Sequence, residues 1–427
     1  MNQDSQHHPP SQWDVVVIGG GASGMMAAGR AGEMGARVLL LEKNEGLGKK
    51  LLITGGGRCN VTNAELDTRK FLAKFTESGK YLHSPFSQWS VQESLDFFHL
   101  RHMQTKEEAE KRVFPLSNTA QSVWDTLVAY LKETSVTVRS EAHVTKIHNE
   151  GDKITSVELR GGEMIYSAVF ILATGGKSHP ETGSTGDGYT WLRKLGHTII
   201  EESAALVPIA LKDTRARKAA GTSIPNAKVT LFQNEVKQAQ RRGKVLITHV
   251  GLSGPCILNM SHEIGELLKY DRVMIEIDFL PDMGYEKVNE ALQKAFKTHS
   301  NKTVRNALKD VVFPALALLV LDAAKIDPEL PAHSVTRDAR MKLLKELKHT
   351  RFEVKELLGM DKAVITAGGV ALTEVDFKSM RSLKFSNLYL VGDILNINRP
   401  SGGYSLQLCW TTGFVAGSAA AHVRSST

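Results

Sequence analysis

The chain has 427 residues, 42% hydrophobic and 23% charged, which suffices for about two or three folded domains and excludes global disorder. Fifty-three Lys and Arg against 46 Asp and Glu leave a net charge of +7, a basic excess that suits an anionic substrate or RNA without demanding either. Cys59, Cys256 and Cys409 are odd in number and far apart, which excludes a disulfide framework, a CxxC redox pair and a cysteine-rich zinc site.

Residues 1–13 are polar and lack the apolar run of a secretory leader. The longest apolar stretch, Val311 to Leu321, is interrupted by Pro314 and is too short for a bilayer span. With no lipidation pattern either, a soluble, cytoplasmic protein without membrane attachment is expected. After the tail, Asp14 to Ile18 reads as a strand buried on both faces, followed by the turn Gly19-Gly-Gly-Ala-Ser-Gly24. A small-residue helix from Met25 to Met34, then a strand from Arg37 to Leu41 ending at Glu42, complete one βαβ unit. Residues 62–135 read as mainly helical, most clearly in the amphipathic SVWDTLVAYLKE. From Val136 to Val169 the pattern alternates as in strands, with a turn at Gly161-Gly162, and a further buried strand runs into Thr174-Gly175-Gly176. Short alternating strands then occupy 206–280, and helical patterns rich in Lys, Leu and Ala fill 284–357. Buried-strand texture returns at Lys362 to Val370 and Leu388 to Val391, before a last helix from about Ser405 to Val423.

This order predicts an α/β architecture with a discontinuous, Rossmann-like domain. The expected division is a flexible tail (1–13), a nucleotide-binding domain (14–205 and 358–427), an inserted β domain (206–283) and an inserted helical domain (284–357). No repeat or low-complexity tract interrupts it.

Gly19-x-Gly21-x-x-Gly24 stands between a strand and a helix, the context a dinucleotide fingerprint requires. Its glycines permit the turn, the approach of a pyrophosphate to the helix N-terminus and close helix–strand contact. Glu42 lies 18 positions beyond Gly24, where a carboxylate accepts from a ribose 2′-hydroxyl and repels the phosphate of NADP. The site therefore suits FAD or NAD. Beyond it, Gly48 to Asn60 (GKKLLITGGGRCN) joins three successive glycines to Lys49, Lys50 and Arg58, as expected of backbone wrapped against a large anionic cofactor. Asp393 follows a strand, and Gly402-Gly403-Tyr404 opens the last helix, whose N-terminus favours an anionic reduced isoalloxazine. One ligand long enough to touch all of these is FAD.

The segments KKLLITGGGRCNVTN, ATGG, GSTGDGY, THVGLSGP, AGGV, VGD and GGY, in this order, resemble the BaiN/RdsA (YhiN-like) family of FAD-dependent oxidoreductases over nearly the whole chain. The resemblance implies a glutathione-reductase-type FAD domain carrying an inserted β-barrel and a helical domain. It also implies that Gly19, Gly21, Gly24, Glu42, Arg58, Cys59, Asn60 and Asp393 line the flavin site. Ala22, Ser23, Lys43, Lys50, Gly56, Gly57, Val144, Thr174, Gly175, Gly392, Gly402, Gly403 and Tyr404 complete the expected cofactor contacts. Related sequences commonly carry Glu at the Asp393 position and Asn at the Ser405 position, so this chain has a shorter carboxylate and lacks an amide there.

The activity expected is reduction of an electron-poor conjugated C=C, enone-like or uracil-like, by hydride from flavin N5, with a protein acid protonating the neighbouring carbon. Cys59, as a thiol near its ordinary pKa, and Tyr404 are the candidate donors. A small buried residue in a tight loop, and a packed aromatic, are their plainer readings. With no second fingerprint, NAD(P)H is expected only as a transient reductant. Asp187, in GSTGDG, reads as a helix cap, and the single His249 before Gly251 as structural or facing the flavin. The histidines lack ligand spacing, so no metal is expected. KDTRARK (212–218), Arg241-Arg242 with Lys244, and Arg337 to Lys355 form either solvated faces or a groove for ribosomal RNA, as the family suggests. Two other functions stay open: a flavin oxidase acting on a small amine, and an RNA- or ribosome-binding flavoprotein.

Overall fold

The computed structural model describes residues 13–423 except Met360 and Val364, and the side chains of 202–204. The expected tail and its Trp13 meet at that boundary: Trp13 begins the first strand, and residues 1–12 lie outside the described residues. The described residues form two compact units, one from residues up to 204 and from 365 onward, the other from 205–364.

In the first unit, strand Trp13–Ile18 pairs in parallel with Val38–Leu41 on one side and Met164–Leu172 on the other. Thr137–Arg139 and Leu388–Leu390 extend the two flanks, also in parallel. The order across the sheet is therefore third, second, first, then the two later strands, which places a reversal between Trp13–Ile18 and Met164–Leu172. All four residues of Val38–Leu41, and Val15 to Ile18, are buried, as strands covered on both faces must be. The antiparallel hairpin Val144–Glu150 and Lys153–Leu159 adds to Met164–Leu172, turning at Gly161-Gly162 before it.

Two helices cover one face. The fingerprint helix, Ala22–Glu33, and the final helix, Tyr404–His422, lie in close contact through small residues. A Cβ on Gly413 would sit 2.6 Å from Ser23 O, and one on Gly417 2.4 Å from Ala27 O. Glycine is thus what lets the two backbones approach. Residues 62–135 are mainly helical, as expected, in Thr68–Leu72, Gly79–Gln88, Val91–Leu100 and Ala120–Glu133, but they also form a three-stranded antiparallel sheet from Thr62–Asn63, Thr105–Glu108 and Arg112–Pro115. The middle stretch, TKEE, is polar and half-exposed, so no apolar alternation announces it.

The second unit contains a closed antiparallel barrel in the order Ile209–Leu211, Gly251–Ser253, Val236–Ile247, Ser223–Gln233, Met274–Asp278, Thr350–Leu357. Its last strand comes from the stretch assigned by sequence to a helical domain. Thr350, Phe352 and Val354 alternate inward, closing the barrel straight after helix Arg337–His349. Leu316, Val320, Leu343 and Leu347 from the helices share one core with Val229, Ile275 and Phe352 from the barrel. The insertion is a single unit rather than a β part followed by an α part. No helix of the described residues is long and apolar enough to cross a membrane.

Candidate functional site

Four of the sequence motifs converge because four parallel strands end side by side. Gly19 N–H donates to Leu41 O at 2.8 Å, Ala173 N–H to Ile18 O at 2.9 Å, and Val391 N–H to Leu172 O at 3.2 Å. The fingerprint turn, Glu42, Thr174-Gly175 and Gly392-Asp393 therefore share the carboxyl edge of the sheet, at its point of reversal. Open α/β sheets bind ligands in that crevice.

The fingerprint turn is built by close approach. A Cβ on Gly24 would meet Gly19 O at 1.9 Å, and one on Gly19 would meet Ala173 O at 2.5 Å. Gly21 differs, since a Cβ there would meet nothing within 4 Å. Gly21 is also the N-cap of the helix beginning at Ala22, with no side chain capping it. The open space beside Gly21 thus lies at a helix N-terminus, which favours an anion. Ser23 is buried on the helix side, where Gly392 approaches it: a Cβ on Gly392 would lie 2.6 Å from Ser23 Oγ.

Glu42, buried at its strand end, accepts at Oε2 from Gly20 N (2.8 Å) and at Oε1 from Asn44 N (2.8 Å) and Asn44 Nδ2 (2.6 Å). A carboxylate has about four acceptor positions, so capacity remains for a hydroxyl. Ala142 N–H donates to Glu42 O at 2.8 Å, which brings the buried Val144 strand to this same end. Lys43 instead pairs with Asp187 at 2.8 Å and Thr185 at 2.6 Å. Asp187 is thus the first helical residue beyond the cap Gly186 rather than the cap itself. Burial alone would raise its pKa, but the Lys43 and Thr185 hydrogen bonds hold it below the usual carboxylate range.

Thr174 Oγ1 is buried without a hydrogen-bond partner. A buried hydroxyl left unpaired is costly, and it lies beside Gly188, whose added Cβ would come within 2.3 Å of it. Lys50 Nζ reaches Asp393 Oδ2 and Ser178 Oγ, each at 3.2 Å, and lies 4.0 Å from a Cβ placed on Gly175. Arg399, which sequence reasoning missed, contacts the other Asp393 oxygen through Nη2. Burial pushes the Asp393 carboxyl up, but Arg399 and Lys50 more than offset it and hold it below its ordinary value.

The glycine-rich segment stands on one short helical turn. Lys50 lies in it, and Gly55, Gly56 and Gly57 follow with φ of +58°, +68° and +83°. Gly56 and Gly57 are exposed, with nothing within 4 Å of an added Cβ. Asn60 anchors the loop when its amide is turned to satisfy its neighbours: the nitrogen then donates to Thr62 O (3.0 Å) and Val113 O (3.1 Å), and the oxygen accepts from Gly403 N (2.9 Å). Gly403, after Gly402, takes φ +101° and caps the final helix without a side chain. Arg58 has partners of its own within the chain. Its guanidinium pairs with Glu108 at 2.5 Å, donates to Asn118 Oδ1 at 2.6 Å and lies 4.2 Å over the Phe114 ring, so its charge is already compensated.

With this geometry in place, residues 13–419 match the model of the family described as HI0933-like protein Rossmann domain. The chain belongs to the HI0933-like family. It is 33% identical over 416 residues to the 3-dehydro-bile acid delta(4,6)-reductase of Clostridium scindens, covering 95% of this chain and 98% of the relative. It is 28% identical over 408 residues to the ribosomal RNA dihydrouridine synthase of Escherichia coli, covering 94% and 96%. Among solved structures, the 3-ketosteroid delta1-dehydrogenase of Sterolibacterium denitrificans in complex with 1,4-androstadiene-3,17-dione aligns with a TM-score of 0.55 at 14% identity, over 96% of this chain and 99% of that one. At that identity the likeness is one of fold.

Within this HI0933-like chain the two candidate acids are poorly placed to act as acids. Cys59 is fully buried, with φ +58°, and burial pushes its thiol up to about 12 despite a hydrogen bond with Thr54. The expected thiol near its ordinary pKa is therefore corrected. Tyr404 is buried against Phe71 (4.8 Å between ring centroids) and Phe75 (5.9 Å), and burial with the nearby Glu65 charge raises its pKa. Both placements match the plainer packing readings. His249 is exposed on the turn between the barrel strands Val236–Ile247 and Gly251–Ser253.

Many of the cations of the inserted unit carry partners. Lys212 pairs with Glu353, Arg215 with Asp213, Lys218 with Asp322, Arg241 with Glu263, and Arg242 with Asp282. Such pairing fits a solvated surface better than an open phosphate groove. Arg399 left one readable signal: an arginine inside the turn between the strand-end Asp393 and the Gly402-Gly403 pair.

Proposed function

We propose that this protein is an FAD-dependent oxidoreductase that saturates an electron-poor C=C conjugated to a carbonyl. The observation that carries the reading is the convergence of the strand-end motifs on one crevice, with open space beside Gly21. These features suit a long dinucleotide. The fingerprint helix N-terminus would hold its pyrophosphate, Glu42 the adenosine ribose, and Lys50 and Asp393 the hydroxyls and phosphate of its other half. When bound, FAD supplies the hydride that such a reduction needs.

The substrate class draws on the relatives. One is named for a bile acid delta(4,6) reduction and the other for making dihydrouridine; both products result from adding hydrogen across a C=C activated by a carbonyl. A steroid-like enone or a uracil ring, free or RNA-borne, fits that electronic requirement, with NAD(P)H as a transiently docked donor. The chain's share of the reaction is to hold the cofactor, exclude water and orient the C=C. Cys59 and Tyr404 serve in this reading as packing beneath the loop and the final helix.

The test is the visible spectrum of the purified protein before and after anaerobic NADPH, followed by addition of an enone or uridine-containing RNA. Oxidised-flavin bands that bleach, then return on adding one acceptor, support the reading. A protein that neither carries nor takes up FAD overturns it.

A further inference from the structure

Gly403, Gln407 and Thr411 recur every fourth residue and so share one face of the final helix. That face meets the chain just beyond the glycine loop, where each of four successive residues is tied to the helix or its cap. Asn60, with its amide turned, accepts from Gly403 N at 2.9 Å, and Val61 O accepts from Trp410 Nε1 at 2.9 Å. Thr62 Oγ1 donates to Gln407 Oε1 at 2.7 Å, and Asn63 Nδ2 to Gly402 O at 3.1 Å. Gly403 lies so close that a Cβ on it would meet the Thr62 carbonyl at 2.3 Å. At the centre of this seam Thr62, Ser94, Gln407 and Thr411 are all fully buried. Gln407 Nε2 has Ser94 Oγ (2.8 Å), Ser90 O (3.0 Å) and Thr411 Oγ1 (3.1 Å) within reach, which ties in the start of helix Val91–Leu100 as well.

Stability alone does not call for these polar groups, because exchanging both partners of a buried hydrogen bond for apolar groups of the same shape is close to neutral. What a buried polar cluster adds is uniqueness: a helix slipped or turned by one residue would strand donors and acceptors away from water. We propose that Gln407 is a positioning residue. Through Thr62 it fixes the register of the final helix on residues 60–63, and with it the placing of Gly402-Gly403 against the glycine loop Gly55–Gly57. The inference rests on the FAD reading above, since it makes that register a condition of tight cofactor binding. Being buried, Gln407 acts through Thr62 and the helix rather than by touching a ligand.

The experiment compares urea midpoints and FAD affinities, the latter by fluorescence titration, across variants of the full chain. Gln407→Met strands the Thr62 hydroxyl, so it should lower the midpoint and weaken FAD binding about tenfold. Thr62→Val combined with Gln407→Met removes both partners, while Ser94 and Thr411 keep their bonds to Trp89 and to Ser90 O. This double variant should regain most of the midpoint yet still bind FAD about tenfold more weakly. Recovery of FAD affinity together with the midpoint makes the cluster a matter of stability alone and overturns the proposal. If the double variant does not fold, Thr62→Val against Thr62→Ser decides: FAD binding weakened by loss of the hydroxyl but not of the methyl supports the proposal, and any other order overturns it. If the unaltered protein binds no FAD, the functional reading falls by itself, and amide exchange of residues 402–407 reads the register instead. Faster exchange in Gln407→Met than in the unaltered protein supports the positioning role, and equal exchange overturns it.

Discussion

The crevice and the barrel solve the same problem, what to do with backbone polar groups at the ends of strands, in opposite ways. In the barrel each strand pairs on both sides, and the ring of six closes on itself. Its apolar residues point inward at alternate positions, and the paired surface ions hold one another. In the crevice the parallel strands stop together, and the fingerprint and final helices begin there at glycines with no side-chain cap. The buried Thr174 hydroxyl at a strand end is left without a hydrogen-bond partner as well. Binding capacity lies where the fold leaves its own groups unsatisfied.

Breaking the barrel should have the largest effect on stability and the least on the cofactor. Phe352 is 1% exposed in the core of the second unit. Phe352→Ala is expected to destabilise that unit by about 3–5 kcal/mol, read by urea denaturation, while flavin absorbance persists below the transition. Gly24→Ala breaks the crevice from within. With Gly19 O at 1.9 Å from the new Cβ, it should cost upwards of about 1–3 kcal/mol through overpacking, and FAD should be lost from the purified protein. Glu42→Ala strips an acceptor from Gly20 and Asn44. A loss of about 1–3 kcal/mol is expected, together with weaker FAD binding in a fluorescence titration.

Gly21→Ala sharpens the contrast, since its Cβ enters space the protein does not use. Apo stability should change by less than about 1 kcal/mol, yet FAD affinity should fall by about tenfold, or ~1.4 kcal/mol. Equal loss of both would mean the space belongs to the fold. The smallest effect is a pH dependence in the first unit. Burial alone would raise the Glu374 carboxyl, but Thr198, Lys384 and the buried His197 hold it down to about 2. A depressed carboxylate stabilises the fold above its unfolded pKa, and that stability is lost as pH falls from about 4.5 toward 2. Glu374→Gln should flatten this limb in thermal melts across that range; a wild-type slope in the variant would assign the limb to other carboxylates.

Much of the first unit was legible because buried parallel strands are short apolar runs bounded by glycine. VVVI before Gly19 and LYLV before Gly392 announce both strand and site. The barrel-closing strand was not, because helix Arg337–His349 runs into Thr350 without a glycine or proline to stop it. The inward alternation of Thr350, Phe352 and Val354 was nonetheless present in the sequence. Cys59 was misjudged for a different reason: spacing locates a thiol, but burial sets its pKa. Arg399 shows the remaining gap, since its partners Asp393 and Ser405 meet only once the intervening turn has folded back.

Gly413 and Gly417 also bear on how the chain matures. They seat the final helix against Ser23 and Ala27, near the opposite end of the sequence, and strand Leu388–Leu390 likewise waits for Met164–Leu172. Residues 205–364 are contiguous and have their own core, so they can fold while the ribosome is still at work. The fingerprint helix must stay without its closing partner until the final helix has been made, and contacts so distant in sequence form slowly. Chain order thus lets the second unit complete its core before the first can close the face that these two helices share.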